Sequence, residues 1–130
     1  MALHTKLWYF ERFGLINVLT EPQRRQFVGL TRMLEVKRGN PIYLPGDRSD
    51  QMFLLKAGVI KISSVAPGEG ERILTLLYPG DVFGELAVVD DVPRDHLAVV
   101  HENAVICAMS RETLLKMIHA VPELGFQITN

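Results

Sequence analysis

The chain has one cysteine, Cys107, among its 130 residues. An internal disulfide is therefore impossible, and so are the multi-cysteine ligand sets of structural zinc and iron–sulfur sites. The four histidines, His4, His96, His101 and His119, show no HxxxH spacing. Haem ligation would have to fall to an isolated His4, His96, His101 or Cys107, and Cys107 reads instead as an inert thiol in an apolar strand. No apolar run reaches the roughly 18–20 residues of a membrane-spanning helix. The start, Met1-Ala-Leu-His-Thr-Lys, lacks the apolar stretch of a secretory leader. Fourteen Lys and Arg stand against fifteen Asp and Glu, a net charge of −1, so no basic face offers itself to nucleic acid. These absences predict a cytoplasmic protein with no metal, no required cofactor and no membrane partner.

What is present is a core-forming composition, 48% hydrophobic and 22% charged, in a length that suits one domain. Residues 1–35 read as helical. Leu7, Phe10 and Phe13 share a helix face, and Thr20-Glu21-Pro22-Gln23 forms a capping box with proline in the first turn. Phe27, Leu30 and Leu34 extend that second helix to near Met33. Residues 36–109 change character. Turn signals recur at Gly46-Asp47, Gly58, Pro67-Gly68, Pro79-Gly80 and Asp90-Asp91, with β-rich runs between them at Met52–Leu55, Val59–Val65, Arg72–Tyr78, Leu97–Val100 and Val105–Met109. That rhythm predicts a sandwich or barrel of short strands. Residues 110–130 return to helix, with Ser110 as cap and Leu114, Leu115, Met117 and Ile118 on one face. Val121, Leu124 and Ile128 then open an amphipathic stretch, which fits either a frayed end or the start of a longer helix.

The densest chemistry lies in Gly80-Asp81-Val82-Phe83-Gly84-Glu85-Leu86-Ala87, followed by Arg94. Gly80 can turn the chain at positive φ, and Gly84 lets a ligand approach the backbone. N–H groups opening a short helix after Gly84 favour an anion. Glu85 suits ribose hydroxyls as an acceptor, and Arg94 offers a fork of donors to a phosphate. On these residues alone, a hairpin turn with a solvated arginine fits as well. Glu85 with Asp81 or Asp95 could be taken for a catalytic carboxylate pair. No set of nucleophile, base and orienting group accompanies them, so the chain does not read as an enzyme.

A wider pattern adds to this. Pro45-Gly46-Asp47, Asp50, Phe53, Gly58-Val59-Ile60-Lys61, the Gly80–Ala87 stretch, Pro93-Arg94, Ala104-Val105-Ile106-Cys107 and Ser110-Arg111-Glu112 together resemble the cyclic nucleotide-binding domain. The resemblance spans roughly residues 5–128. Leu7-Trp8-Tyr9-Phe10 and Pro122-Glu123-Leu124 are most similar to the CRP/FNR branch of bacterial transcription regulators. It implies a double-stranded β-helix, or jelly roll, flanked by N-terminal helices and the start of a C-terminal dimerisation helix. It also implies a regulatory domain that senses a small anionic effector such as cyclic AMP or cyclic GMP in a Gly84–Arg94 cassette. Gly84, Leu86 and Ala87 would give backbone contacts, Glu85 would hold the ribose and Arg94 the cyclic phosphate. Ile62, Leu74, Thr75 and Leu77 would line the space around base and sugar. DNA would be reached only through a C-terminal helix-turn-helix domain that this chain does not contain, and the full-length protein would be a homodimer.

One position departs from the pattern. Nucleotide-binding members follow the arginine with a small residue, whereas here Asp95 stands next to Arg94. Two unit charges about 4 Å apart interact by about 4 kcal/mol at an effective dielectric near 20. Facing the pocket, Asp95 would weaken cyclic-nucleotide binding; pointing to solvent, it would leave it largely intact. The first is the expectation. The alternative function is a family member with a degenerate pocket, acting through another ligand or as a free-standing protein-interaction module.

Overall fold

The computed structural model describes residues 20–120. The expected helix around Leu7–Phe13, the motif at Leu7–Phe10, and the stretch carrying Val121, Pro122, Leu124 and Ile128 lie outside the described residues. Helix α1 (Glu21–Gly29) starts as its capping box predicts. Thr20 N–H donates to Gln23 Oε1 at 2.9 Å, and Gln23 N–H donates to Thr20 Oγ1 at 3.3 Å. The helix stops at Gly29, earlier than its apolar spacing suggests. Met33 and Leu34 belong to strand β1 (Arg32–Val36), so the helical region does not extend to residue 35. Pairing with a distant strand overrides the local period, since Met33 and Leu34 sit opposite Cys107 and Ile106.

The rest is an antiparallel jelly roll dominated by two long strands, β3 (Gln51–Ala66) and β6 (Leu97–Ser110). Strands β2 (Pro41–Tyr43), β4 (Gly70–Leu77) and β5 (Val82–Phe83) complete it. The order is β1-β6-β3-β4, with β2 added on β6 and β5 on β3. Gly58 does not end a strand, as its turn signal suggests. It lies inside β3 at φ +88, where the register against β6 shifts between Leu55 and Ile60. A Cβ there would fall 2.2 Å from Asn103 O, so the crossing admits only glycine. The irregularity changes which parity of β3 faces inward: Phe53 and Leu55 before it, and Ile60 and Ile62 after it, all join one core with Phe83, Val100, Ala104 and Ile106.

Helix α2 (Glu85–Asp90) follows β5, and α3 (Arg111–Ala120) follows β6. Ser110 caps α3 as expected, its Oγ accepting from Thr113 N–H at 3.1 Å. α2 touches β3, while α3 touches both β6 and α2. Cys107 is buried, as its apolar neighbours predict. No helix among the described residues is long and apolar enough to cross a membrane.

Candidate functional site

Two tetrapeptides of the same type, Leu44-Pro-Gly-Asp47 and Tyr78-Pro-Gly-Asp81, make matching turns. In each, glycine takes positive φ, +90° at Gly46 and +106° at Gly80, as the third position of a type II turn requires. In each, the aspartate carboxylate accepts from the first residue's N–H, Leu44 to Asp47 at 2.9 Å and Tyr78 to Asp81 at 2.8 Å. Each turn then offers a glycine N–H and an aspartate carbonyl outward to one other residue. The second turn grips Leu55 of the core: Gly80 N–H donates to Leu55 O and Leu55 N–H to Asp81 O, both at 2.9 Å. The first grips Arg94: Gly46 N–H donates to Arg94 O at 2.8 Å and Arg94 N–H to Asp47 O at 2.9 Å.

The Arg94 side chain is fixed as closely as its backbone. It is 5% exposed. Its Nη1 donates to Gly84 O at 2.6 Å, and its Nη2 donates to Gln51 O. The guanidinium carbon lies 4.2 Å from the centre of the Tyr43 ring and 6.0 Å from that of Phe53. Tyr43, Phe53 and Phe83 form one aromatic group, with Phe53 and Phe83 stacked at 5.1 Å. Gly84 is a glycine for two reasons. Its φ is +78°, and a Cβ would stand 2.8 Å from Arg94 Nη1.

Between Gly84 and Arg94, α2 ends in a Schellman turn. Asp91 is left-handed at φ 54, its N–H donates to Val88 O at 3.3 Å, and Val92 N–H donates to Ala87 O at 3.1 Å. The buried Ser49 hydroxyl adds a bond to Ala87 O at 2.9 Å and reaches Val92 O as well.

Arg94 and Gly84 form one wall of a cavity of about 540 Å³. That lies in the range of small-ligand pockets, about 300–1,000 Å³. Ala87, Asp90 and Val92 of the cassette line it as well, as do Asp95 and His96 just after it, with Tyr43, Val82 and Phe83, and with Ile62, Thr75 and Leu77 of the paired strands β3 and β4. Seven of the expected ligand residues thus come together: Gly84, Ala87, Arg94, Asp95, Ile62, Thr75 and Leu77. Leu74 does not join them. Leu74 is the extra residue where the pairing of β4 with β3 passes from Thr75–Ile62 to Ile73–Ser63, and it stands outside the cavity lining, 47% exposed. Glu85 and Leu86 open α2, and their side chains lie outside the description. Asp95 lines the cavity rim, but its side chain is 83% exposed and its Oδ1 lies 3.2 Å from His96 Nδ1.

Tyr43, Ser49 and Gln51, which hold the arginine and its loop, were not expected. The sequence signal for them is slight: a tyrosine in Pro-Ile-Tyr-Leu-Pro, and a serine and a backbone carbonyl with no motif of their own. Among the described residues no group of three or more His, Cys, Asp or Glu could hold a metal ion.

Residues 33–120 match the Cyclic nucleotide-binding domain family. The chain is 31% identical over 102 residues to the CRP-like cAMP-activated global transcriptional regulator of Mycobacterium tuberculosis, covering 76% of this chain and 46% of that protein. It is 34% identical over 85 residues to the Cyclic AMP receptor protein of Thermus thermophilus, covering 65% of this chain and 39% of that protein. The crystal structure of Thermus thermophilus Catabolite Activator Protein superposes with a TM-score of 0.76 at 27% identity, over 85% of this chain and 52% of that one. The chain thus spans less than half the length of these curated relatives. With its jelly roll, its cassette and these relatives, the chain belongs to the cyclic nucleotide-binding domain family and is homologous to the CRP-like transcription regulators.

Proposed function

We propose that the domain binds a cyclic nucleotide between the cassette and the β3–β4 wall and serves as the effector-sensing part of a CRP/FNR-type regulator. The observation that carries this reading is the Arg94 guanidinium: a nearly buried cation, positioned by two carbonyls and an aromatic face, on the wall of a cavity of ligand size. Such a charge is stabilised further by an anion that enters beside it. Gly84, left without a side chain, and the amides of Leu86 and Ala87 would meet the same phosphate, while Glu85 would accept from the ribose. Ile62, Thr75 and Leu77 would lie along base and sugar. The site binds and releases its ligand unchanged, as a sensor and not an enzyme. The whole protein would be a cytoplasmic homodimer that reaches DNA through a separate C-terminal domain, with the segment that follows α3 as the relay.

Asp95 sets the strength of binding. With its carboxylate in solvent, repulsion of a phosphate about 4 Å away falls to about 1 kcal/mol, against the several expected of a buried pair. Binding would therefore be weakened several-fold, not abolished.

Titration calorimetry with cyclic AMP and cyclic GMP tests the reading. At least one should bind the wild type. Arg94→Lys, which keeps the charge but loses the fork, should weaken binding by on the order of a hundredfold. Asp95→Ala should tighten it by about fivefold. Equal affinity of wild type and Arg94→Lys would sink the assignment of the phosphate to Arg94. No binding of either nucleotide would favour the alternative, a degenerate pocket serving another ligand or a protein partner.

A further inference from the structure

The cassette is tied to the rest of the molecule at a point no ligand role accounts for. Helix α2 has six residues, too few to persist without outside support. Its last carbonyls carry the negative end of the helix dipole. Arg111, the first residue of α3, reaches them: its Nε donates to Val88 O at 3.0 Å, and its Nη2 lies 3.6 Å from Asp91 Oδ2. The Arg111 backbone is anchored separately, its N–H donating to Asp50 O at 2.7 Å, and the Ser110–Thr113 cap fixes the turn that follows. The ion pair to Asp91 is mostly solvated and contributes little. The bond from a charged donor to a backbone carbonyl is the stronger link.

We propose that Arg111 is a positioning residue of the cassette. Its guanidinium joins the end of α2 to the first turn of α3, so that the two shift together. Val88 and Asp91 lie midway between Gly84 and Arg94, so a ligand drawing on both ends of the cassette would displace the carbonyl that Arg111 holds. The displacement would reach α3 through one side chain, without passing through the sheet. This relay rests on the ligand reading above; the tie itself does not.

Amide hydrogen exchange resolved by residue separates the two. In the ligand-free protein, Arg111→Ala should speed exchange at Asp91, Val92 and the first turn of α3 by about tenfold, leaving β1 and β6 within about twofold. Arg111→Lys, with one donor group at the same reach, should restore part of the protection and stands in should the alanine variant fail to fold. A uniform loss across the sheet would mark Arg111 as a general stabiliser and overturn the proposal, as would unchanged exchange at Asp91 and Val92. With saturating cyclic AMP or cyclic GMP, whichever binds, wild type should gain protection in both 85–92 and α3, and Arg111→Ala in 85–92 alone. An equal gain in α3 for both would overturn the relay. A wild type indifferent to both cyclic AMP and cyclic GMP would count against the ligand reading, and the ligand-free comparison would still decide the tie.

Discussion

Leu44-Pro-Gly-Asp47 and Tyr78-Pro-Gly-Asp81 share a sequence pattern, a turn type, an aspartate bond and a way of gripping a neighbour, yet they hold very different residues. The second turn holds Leu55, which is fully buried in the core. The first holds Arg94, whose charge faces the cavity. A local signal of four residues thus specifies a clamp but not its use. The use depends on which segment the fold delivers to the clamp: for one turn the first part of β3, for the other the end of the cassette. An anchored core residue contributes to stability alone, whereas an anchored arginine contributes to stability and fixes a charge in place.

The largest effect on this arrangement should come from Gly84→Ala, which leaves both turns untouched. Alanine at φ +78 is strained, and its Cβ would meet Arg94 Nη1 at 2.8 Å. The guanidinium must then give up Gly84 O, so we expect a loss of about 2–4 kcal/mol in stability, with weaker ligand binding alongside. Denaturant unfolding and calorimetry on one preparation would check both. A variant of wild-type stability would mean that Arg94 can relocate freely, and the contrast between the two turns would lose its basis.

The direct comparison is Asp47→Ala against Asp81→Ala. Each removes one side-chain acceptor of a backbone N–H, and each should cost about 1–2 kcal/mol. The two should part on ligand affinity: Asp47→Ala loosens the turn that holds Arg94 and should weaken cyclic-nucleotide binding, while Asp81→Ala should leave it near the wild-type value. Equal affinities for both would show that the grip on the Arg94 backbone is dispensable, with the side-chain contacts to Gly84 and Gln51 sufficient on their own.

What could be read in the sequence follows the same division between local signal and distant context. Both turns, the Thr20–Gln23 box and the Ser110 cap were legible, because a few adjacent residues supply the hydrogen bonds that shape them. Gly84 and Arg94 were legible as a pair because their spacing within one loop carries the pattern. Leu34 was misplaced in a helix, since an apolar residue at that spacing also fits a strand and only Ile106, far along the chain, decides. Leu74 was placed beside Thr75 in the pocket, because nothing in the sequence announces the register slip against β3 that leaves it unpaired and outside. Tyr43 and Gln51 carried little signal because they meet Arg94 only after the sheet has formed.

A smaller effect should appear on the β3–β4 hairpin, away from both turns. Glu71 accepts from the Ser63 hydroxyl at 2.7 Å and pairs with Lys61 Nζ at 3.0 Å. The Ser63 hydroxyl bond first, and the Lys61 ammonium second, hold its carboxyl below the ordinary carboxylate range. A depressed pKa in the folded state adds stability above the unfolded value, about 4.3, which is lost as pH falls through the folded value. Wild type should therefore melt slightly higher than Glu71→Gln at pH 7, and the two curves should converge in acid. A gap that persists at low pH would show that the carboxylate's charge is not its source.

The smallest effect belongs to Leu74→Thr. Leu74 stands at the register slip of β4 and, like Ile73 before it, is exposed. Threonine suits a strand and keeps a branched surface there, so stability should change by less than about 0.5 kcal/mol. Thr75, one residue on, lines the cavity, so Thr75→Val should alter ligand affinity while Leu74→Thr leaves it alone. Affinity measured for Leu74→Thr and Thr75→Val in parallel shows directly which of the two residues meets the ligand. A loss at Leu74 equal to that at Thr75 would mean that the bound state turns β4 inward, making the hairpin the mobile wall opposite a clamped Arg94.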